Sequence, residues 1–352
     1  MQDTAVGARG SIFLVTRYSI YKPESSGLRL AKQAKTHDAY RQALFAEVRL
    51  AARQQVFDAV TAASLMSQGV PAGVEVHWLV GVSDLLPAHH RAKLEATLQA
   101  VESAGSVRTK LLTIASGLCD HFEGRTYPSL SAATEEFILD TLRGRDEAFA
   151  TVRLDDDDAL AASFCPDLAR FLKKDLAGFL VSFPYGLEGV FDPATGTIGD
   201  VRRRYSPTLA LGLSFINFHG AGGAFTDERV HVYRLGSHIR MARRNPVILC
   251  AQKVGYLRTL SAFNDSATQT RHEYLPPALA EELADLHLPF AESALSPQPD
   301  PDAGLASIVL SEATPRVGKL RARNASLKRK LKKLQAEVKR LQTPADPMPP
   351  EA

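Results

Sequence analysis

The stretch FATVRLDDDDAL, residues 149–160, decides the fold. Its first six residues are mostly apolar or β-branched and predict a buried strand, and four aspartates follow at once. The residues from Ala159 to Leu176 carry apolar side chains at helical spacing and predict a helix. A strand, an acidic tip and a helix in this order are typical of an α/β fold, in which ligands bind at the carboxyl ends of the strands.

The four adjacent carboxylates, Asp155 to Asp158, predict a cation site at the end of this strand. Ionised carboxylates repel one another, so a cleft that holds several of them needs a cation or strong hydrogen bonds. A hard divalent ion such as Mg²⁺, shared with substrate phosphates, meets that need through oxygen ligands. The alternative is that Asp157 or Asp158 only caps the next helix, although a cap uses a single aspartate. In an extended strand Asp155 and Asp157 share one face, and Asp156 points to the other.

The segments before the acidic run alternate between strand and helix. Strands are predicted at 11–20, 74–80 and 107–114, and helices follow them at 44–63, 88–103 and 131–142. This order predicts a mostly parallel sheet flanked by helices. After the acidic run, short strands between glycine-rich loops predict antiparallel additions, at 178–183, 209–215, 230–234 and 247–251, before a last helix at 276–286.

Composition divides the chain into four parts: a body at 1–290, a Pro- and Ala-rich linker at 291–315, a basic helix at 316–342 and a disordered tail at 343–352. The basic helix has apolar residues or Asn at all its heptad seam positions, which predicts a C-terminal coiled coil. The alternative is a solvated basic helix. We expect weak homodimerisation, pairing with an acidic partner helix, or binding to an anionic membrane surface.

Charge and cysteine content restrict the setting in which the protein works. The net charge of +3 hides a strongly basic segment at 316–342 and an acidic body, so no nucleic-acid partner is expected for the body. Three cysteines without C-x-x-C spacing favour a reducing compartment. The N-terminus lacks the apolar region of a signal peptide, and no stretch has the roughly 18 apolar residues of a membrane span. We therefore expect a cytoplasmic protein, with peripheral binding at the inner face of the membrane through the basic segment.

The arrangement resembles the nucleotide-diphosphosugar glycosyltransferases of GT-A architecture, which carry a D-x-D pair at the end of a strand in an α/β domain. More narrowly, residues 11 to about 260 resemble the putative rhamnosyltransferase family of bacteria. The matching features are the opening strand with Thr16-Arg17-Tyr18, the helix FAEVRLAARQQVFDAVTAASLMSQ, Trp78-Leu79-Val80 with the leucine-proline turn after it, and RLDDDDAL.

This resemblance implies a GT-A-like fold and the transfer of a sugar, with rhamnose a candidate, from a nucleotide diphosphate donor such as dTDP-rhamnose to a glycan or glycolipid acceptor. The implied cofactor is Mn²⁺ or Mg²⁺, which would bridge the aspartate pair to the donor's diphosphate. Asp155 matches the first aspartate of the pair, near the ribose and the metal, and Asp157 matches the second, a direct metal ligand. Asp158 would orient a water beside the metal or the sugar hydroxyls.

Polar residues that follow the first two strands complete the predicted donor site. Thr16, Arg17, Ser83 and Asp84 would hold the nucleotide base or the diphosphate of the donor. Arg153, on the same face of the strand as Asp155, would approach the phosphates. An ordinary surface arginine or an ion pair with a nearby acid is the alternative for the basic members. These donor-binding candidates are Thr16, Arg17, Ser83, Asp84 and Arg153, together with Asp155 and Asp158.

The second half of the chain supplies candidates for the acceptor side. A carboxylate or histidine takes the acceptor's proton in inverting transferases, and Asp227 or Glu228 is the predicted base. His238 is predicted as a further metal or diphosphate contact, with a purely structural histidine as the alternative. The glycine-rich loop after His219 is predicted to be a mobile lid over the donor.

Two other functions compete with glycosyl transfer. An aspartyl-phosphate phosphohydrolase also uses D-x-D after a strand, but it expects Thr or Val soon after the second aspartate and a motif near the start of the domain. A non-catalytic carbohydrate- or metal-binding scaffold, assembled through the coiled coil, would bind metal without nucleotide. The sequence leaves the donor sugar, the acceptor and the stereochemical outcome open.

Overall fold

The computed structural model describes residues 9–22, 29–119, 122–207, 209–236, 238–261, 275–295 and 326–327. The chain divides into two compact units, Met1–Pro301 and Asp302–Ala352. The basic segment 316–342, apart from Ser326 and Leu327, and the tail 343–352 lie outside the described residues, so the coiled coil stays a prediction. In the described part of the chain, no helix is both long and apolar enough to cross a membrane.

The described elements alternate as the sequence predicts up to the acidic run. The strands are β1 (Gly10–Tyr18), β2 (Val74–Ser83), β3 (Arg108–Ile114), β4 (Thr126–Tyr127), β5 (Glu147–Arg153), β6 (Ala159–Leu160), β7 (Leu180–Ser182), β8 (Tyr185–Asp192), β9 (Thr197–Tyr205), β10 (Ser214–His219), β11 (Val247–Leu249) and β12 (Tyr256–Leu260). The α-helices are α1 (Arg29–Gln33), α2 (His37–Leu44), α3 (Glu47–Val56), α4 (Ala63–Met66), α5 (Ala88–Ser103), α6 (Leu130–Leu142), α7 (Phe164–Ala169), α8 (His238–Met241), α9 (Ala280–Ala284) and α10 (Glu292–Leu295). A π-helical segment, Phe57–Ala62, joins α3 to α4, and short 3₁₀ helices occupy Lys174–Leu176 and Val232–Leu235.

A central sheet of eight strands has the order β11-β7-β10-β5-β1-β2-β3-β4. Neighbouring strands are parallel except for β10, which runs antiparallel to both β5 and β7. The predicted mostly parallel α/β sheet with an antiparallel addition is therefore confirmed. Val15 pairs with Arg153, and Ser83 pairs with Ile114. Strands β1, β2, β3 and β5 thus end at one side of the sheet, which we call the carboxyl edge.

Helices cover both faces of this sheet, which explains the apolar character of its inner strands. Alternate residues of β1 lie in two separate cores: Ile12 and Leu14 pack on the side of α3, and Phe13 and Val15 pack on the side of α6. Such a strand is apolar at every position because helices bury both of its faces. On the α3 side, the ring of Trp78 stacks on Phe57 with centroids 5.1 Å apart.

A second sheet of four strands, in the order β6-β12-β8-β9, was not predicted from the sequence. Strands β8 and β9 form an antiparallel hairpin, and β12 pairs in parallel with β8 and antiparallel with β6. Its core contains Leu187, Ile198 and Leu257, all fully buried. Because β6 follows Asp158 directly, the acidic run connects the two sheets.

The predicted helix from Ala159 to Leu176 is wrong over its first part. Ala159 and Leu160 pair with β12, the Ala161 amide donates to the Gly255 carbonyl, and α7 begins only at Phe164. Backbone pairing with a distant strand overrides the local helical pattern here.

Three other predicted elements also differ. The strand expected at 209–215 corresponds to β10, which begins only at Ser214 and extends to His219. The strand expected at 230–234 is a 3₁₀ helix, Val232–Leu235, whose first amide donates to the hydroxyl of Thr151. The last helix is confined to α9, and α10 lies at the start of the predicted linker.

Candidate active site

The four aspartates form a turn at the carboxyl edge, and we call Asp155–Asp158 the acidic turn. It leaves β5 after Leu154, whose amide donates to the Val15 carbonyl of β1. Asp156 and Asp158 are buried, whereas Asp155 and Asp157 are half-buried. The side chains therefore alternate between the protein interior and the open side of the edge.

Asp156 is held by a buried ion pair with Arg53 of α3. The Arg53 Nε donates to Asp156 Oδ2 at 3.0 Å, and the Arg53 Nη2 donates to Asp156 Oδ1. The side chains are only 6% and 4% exposed, so both charges are shielded from water. A bidentate pair of this kind fixes the direction of the carboxylate, and it turns Asp156 toward the interior.

Asp158 is held from the other side by β12. The Thr259 amide donates to Asp158 Oδ1 at 2.9 Å, and the Thr259 hydroxyl donates to the Asp157 carbonyl. Burial raises the pKa of Asp158 well above its usual range, and the neighbouring charges of Asp157 and Asp155 raise it further. Three carboxylates of the turn thus act on one another at close range.

Arg153 and Tyr233 lie beside the first aspartate of the turn. The Arg153 guanidinium carbon is 4.9 Å from the centre of the Tyr233 ring, and the Tyr233 hydroxyl donates to the Val15 carbonyl at 3.0 Å. Burial raises the pKa of Tyr233, which Asp155 raises further and Arg153 and Arg17 lower. These four side chains therefore share one electrostatic environment. The Arg153 Nε is buried without a hydrogen-bond partner among the described residues.

Two of the predicted donor-site residues, Thr16 and Arg17, lie at the end of β1, and Arg17 is the exposed one. The parallel pairing of β1 and β5 ends at Val15 and Arg153, and Arg17 and Asp155 each follow two residues later and both act electrostatically on Tyr233. Thr16 is fully buried, and its hydroxyl oxygen accepts a hydrogen bond from Trp78 Nε1 at 2.9 Å. The Thr16 side chain is therefore used in the packing beneath the carboxyl edge, and its predicted contact with the donor stays a prediction.

Ser83 and Asp84 lie at the carboxyl edge, as predicted, but both are used in local structure. The Ser83 hydroxyl donates to Asp84 Oδ1 at 3.2 Å and accepts from the Leu85 amide. The Asp84 carboxylate accepts from the amide and the hydroxyl of Ser116, which follows β3. Ser83 is fully buried and Asp84 is 9% exposed. Their observed role is to join the loops that follow β2 and β3.

The predicted catalytic base Asp227 lies in an ion pair, and its role as a base stays a prediction. Its carboxylate forms a bidentate ion pair with Arg229, which lowers the pKa of Asp227 and makes the group a weaker base. Its backbone is hydrogen-bonded to Asn217, which pairs with Phe149 of β5. Phe149 lies four residues before the end of β5, or about 13 Å along the strand. The adjacent Glu228 is exposed, and its role as a base also stays a prediction.

The predicted glycine lid also lies away from the acidic turn. Because β10 runs antiparallel to β5, its last residue, His219, pairs with Glu147 at the beginning of β5. The loop at 220–223 therefore extends from the opposite edge of the sheet. His219 is buried, and its Nδ1 is 2.9 Å from the Arg145 carbonyl. His238 begins α8, but its side chain lies outside what the structure describes, so its predicted metal contact stays a prediction.

The residues at the turn fit a hard divalent cation. Asp155 and Asp157 offer half-buried carboxylate oxygens, the ligand type that Mg²⁺ and Mn²⁺ prefer. Burial is the main cause of the raised pKa of the neighbouring Asp158, and the negative charges of Asp157 and Asp155, which a cation would neutralise, raise it further. Asp155 and Asp157 are the residues that would hold it.

Three residues that shape this site were not identified from the sequence: Arg53, Tyr233 and Thr259. The position of Arg53 could have been used to identify it, since it lies on the buried face of a helix with Arg49 four residues earlier. A pair of arginines among buried apolar positions predicts acidic partners elsewhere. Thr259 and Tyr233 carried no such signal, because distant segments of the chain bring them to the turn.

A mostly parallel α/β sheet with carboxylates at its carboxyl edge is compatible with a GT-A-like architecture. Residues 11–273 match the family described as putative rhamnosyl transferase, and the chain belongs to that family. The protein is thus an enzyme, a glycosyltransferase. No curated protein matches the chain.

Proposed function

We propose that this protein transfers a sugar, with rhamnose as the candidate that the family suggests, from a nucleotide diphosphate donor to a glycan or glycolipid acceptor, and that the transfer requires Mn²⁺ or Mg²⁺. Family membership supports the donor and acceptor classes. The observation that carries the metal requirement is the alternation within the acidic turn. Arg53 and Thr259 anchor Asp156 and Asp158, and Asp155 and Asp157 lie on the accessible side.

In this proposal the four carboxylates have two different roles, two of them structural and two as metal ligands. Asp156 and Asp158 set the shape of the turn from opposite sides, one through α3 and the other through β12. Asp155 and Asp157 are then held in place before any ligand arrives. A preorganised pair of oxygen ligands binds a cation without first having to order the loop.

The residues around the turn suit a sugar diphosphate. A divalent cation bound by Asp155 and Asp157 would neutralise the charge that develops on the leaving diphosphate. Arg153 adds a guanidinium on the same side, and the Tyr233 ring holds its plane by stacking. Guanidinium groups bind phosphate oxygens through paired donors, so in this proposal Arg153 contacts the diphosphate. Arg17, exposed at the end of β1, adds a second positive charge to the same edge.

Donor turnover tests the proposal. Release of nucleoside diphosphate from a panel of nucleotide sugars, dTDP-rhamnose included, would be followed with Mn²⁺, with Mg²⁺ and with excess chelator. We expect Asp157→Asn to lower kcat at least about 100-fold, because it removes a charged ligand from the developing transition state but keeps the side chain's shape.

The matched control is Asp140→Asn, which makes the same chemical change at an exposed position on α6 that pairs only locally with Arg143. Its turnover should equal that of the wild type. Wild-type turnover by Asp157→Asn, or full activity in chelator, would exclude the proposed metal role.

A further inference from the structure

A second cluster of metal-ligating side chains lies apart from the acidic turn. Glu47 begins α3, and His89 and His90 lie in the first turn of α5, just after β2 and its connecting loop. The Glu47 Oε2 is 3.0 Å from His89 Nε2 and 3.0 Å from His90 Nε2. The ligand atoms of all three residues lie within 4.8 Å of one another.

The spacing of these atoms is close to that of a coordination site. Zinc binds imidazole nitrogen and carboxylate oxygen at about 2.0–2.2 Å, so a tetrahedral site separates its ligand atoms by about 3.4 Å. The two separations of 3.0 Å between Glu47 and the histidines would have to open by only a few tenths of an ångström, and the two histidine nitrogens lie within 4.8 Å of each other. Two histidines and one carboxylate are also a usual ligand set for zinc sites that leave a position open for water.

One residue of the cluster is buried and the other two are exposed to solvent. The His90 side chain is completely buried, whereas those of His89 and Glu47 are 57% and 64% exposed. His90 directs its Nε2 at Glu47, and its buried Nδ1 has no hydrogen-bond partner among the described residues. The observation that points to a ligand is that the Nε2 atoms of a buried and an exposed imidazole are both directed at one carboxylate oxygen, Glu47 Oε2.

We propose that Glu47, His89 and His90 bind one divalent transition-metal ion of the zinc class, with water completing its coordination. Imidazole ligands favour Zn²⁺, Co²⁺, Ni²⁺ and Cu²⁺ over Mg²⁺ and Mn²⁺, so this site and the acidic turn select different metals. The ion would join the first turn of α3 to the first turn of α5. This inference goes beyond the proposed glycosyl transfer and does not depend on it.

The proposed metal site of Glu47, His89 and His90 is also separated from the acidic turn, as the length of α3 between them shows. Arg53, which anchors the turn, follows Glu47 by six residues, or about 9 Å along α3. A metal clip at the start of α3 would therefore stabilise the helix that carries the anchor without contacting the donor. Loss of the bound metal should therefore have a larger effect on the Tm than on the rate of sugar transfer.

Metal titration of the full chain without an affinity tag tests this proposal. The background is Asp157→Asn, in the presence of excess Mg²⁺, so that the acidic turn does not contribute. Zn²⁺ binding is measured by calorimetry, and Co²⁺ serves as a visible-absorption probe of nitrogen coordination. We expect one ion per chain and a metal-dependent rise in Tm by mass action.

Removal of an exposed ligand should then abolish the site without unfolding the protein. In His89→Gln and Glu47→Gln the Zn²⁺ affinity should fall at least tenfold, since even residues that only support a ligand are worth about 10–100-fold. The matched control, His37→Gln, changes an exposed histidine on α2 and should bind as the parent does. Equal Zn²⁺ binding in all variants, or no binding by the parent, would overturn the proposal and leave the cluster as hydrogen bonds between two helices. Failure of sugar transfer would not affect this outcome.

Discussion

Replacing Arg53 by Met tests whether a buried ion pair shapes the acidic turn. Arg53 makes two charge-assisted hydrogen bonds to Asp156, and both side chains are at most 6% exposed. Hydrogen bonds to charged groups contribute about 1.5–3 kcal/mol each. Removing one partner of a buried pair costs about 3–5 kcal/mol, because the other charge is left without compensation. Both estimates place Arg53→Met near 4 kcal/mol, a large part of the roughly 5–15 kcal/mol that stabilises a typical domain.

A double-mutant cycle measures this coupling. Urea unfolding can be followed through the fluorescence of Trp78, the chain's single tryptophan, which is fully buried in the core beside α3. We expect Arg53→Met and Asp156→Asn each to cost several kcal/mol, and the double variant to cost at least about 2 kcal/mol less than their sum.

Turnover should fall in the same variants at temperatures well below their Tm, because the turn loses its anchor. The control Arg41→Met breaks an exposed pair with Asp38 and should cost less than about 1 kcal/mol. Strict additivity, or a cost near that of the control, would refute the argument that this pair shapes the turn.

Two further predictions concern the segment that carries Tyr233. His231 is fully buried, and burial lowers its pKa to about 4. At pH values between this pKa and the ordinary imidazole pKa of about 6.5, the unfolded chain binds a proton at His231 that the folded protein does not bind. Stability should therefore fall as the pH drops from about 6.5 to about 4, by about 2 kcal/mol between pH 7 and pH 5. Urea unfolding should show that His231→Gln loses this dependence and exposed His37→Gln keeps it; an unchanged slope in His231→Gln would contradict the assignment. At the site itself, Tyr233→Phe keeps the ring over Arg153 and should bind the donor within about twofold of wild type, whereas Tyr233→Ala loses a contact worth about 1–2 kcal/mol and should bind about tenfold more weakly. Equal donor affinity in the two variants, measured by calorimetry, would mean that the stacking does not position Arg153.

The first half of the fold could be predicted because its elements have local causes. Strand β2 and helix α5 follow directly from runs of apolar residues and from the proline before Ala88. The acidic turn was located for the same reason, since strand and carboxylates adjoin in the sequence. The opposite orientation of Asp156 was predicted from the two-residue period of an extended chain. In the structure these residues form a turn, and the ion pair with Arg53 directs Asp156 to the interior.

The second half could not be predicted because long-range pairing determines it. Ala159 and Leu160 have a helical pattern nearby, yet they pair with β12, about 100 residues away. The surroundings of Asp227, the predicted base, could not be foreseen for a related reason. A carboxylate two residues before an arginine was free to form an ion pair with it, and the antiparallel register of β10 placed that pair away from the carboxyl edge.

The most direct test of the central claim is the binding of the donor itself. Calorimetry of dTDP-rhamnose and related nucleotide sugars would be carried out on the wild type and on Asp157→Asn, with Mn²⁺ and with chelator. The account predicts that the wild type binds a nucleotide sugar at least about tenfold more tightly with Mn²⁺, a difference of about 1.4 kcal/mol, and that Asp157→Asn loses this gain. Equal affinity with Mn²⁺ and with chelator, or an undiminished metal effect in Asp157→Asn, would contradict it.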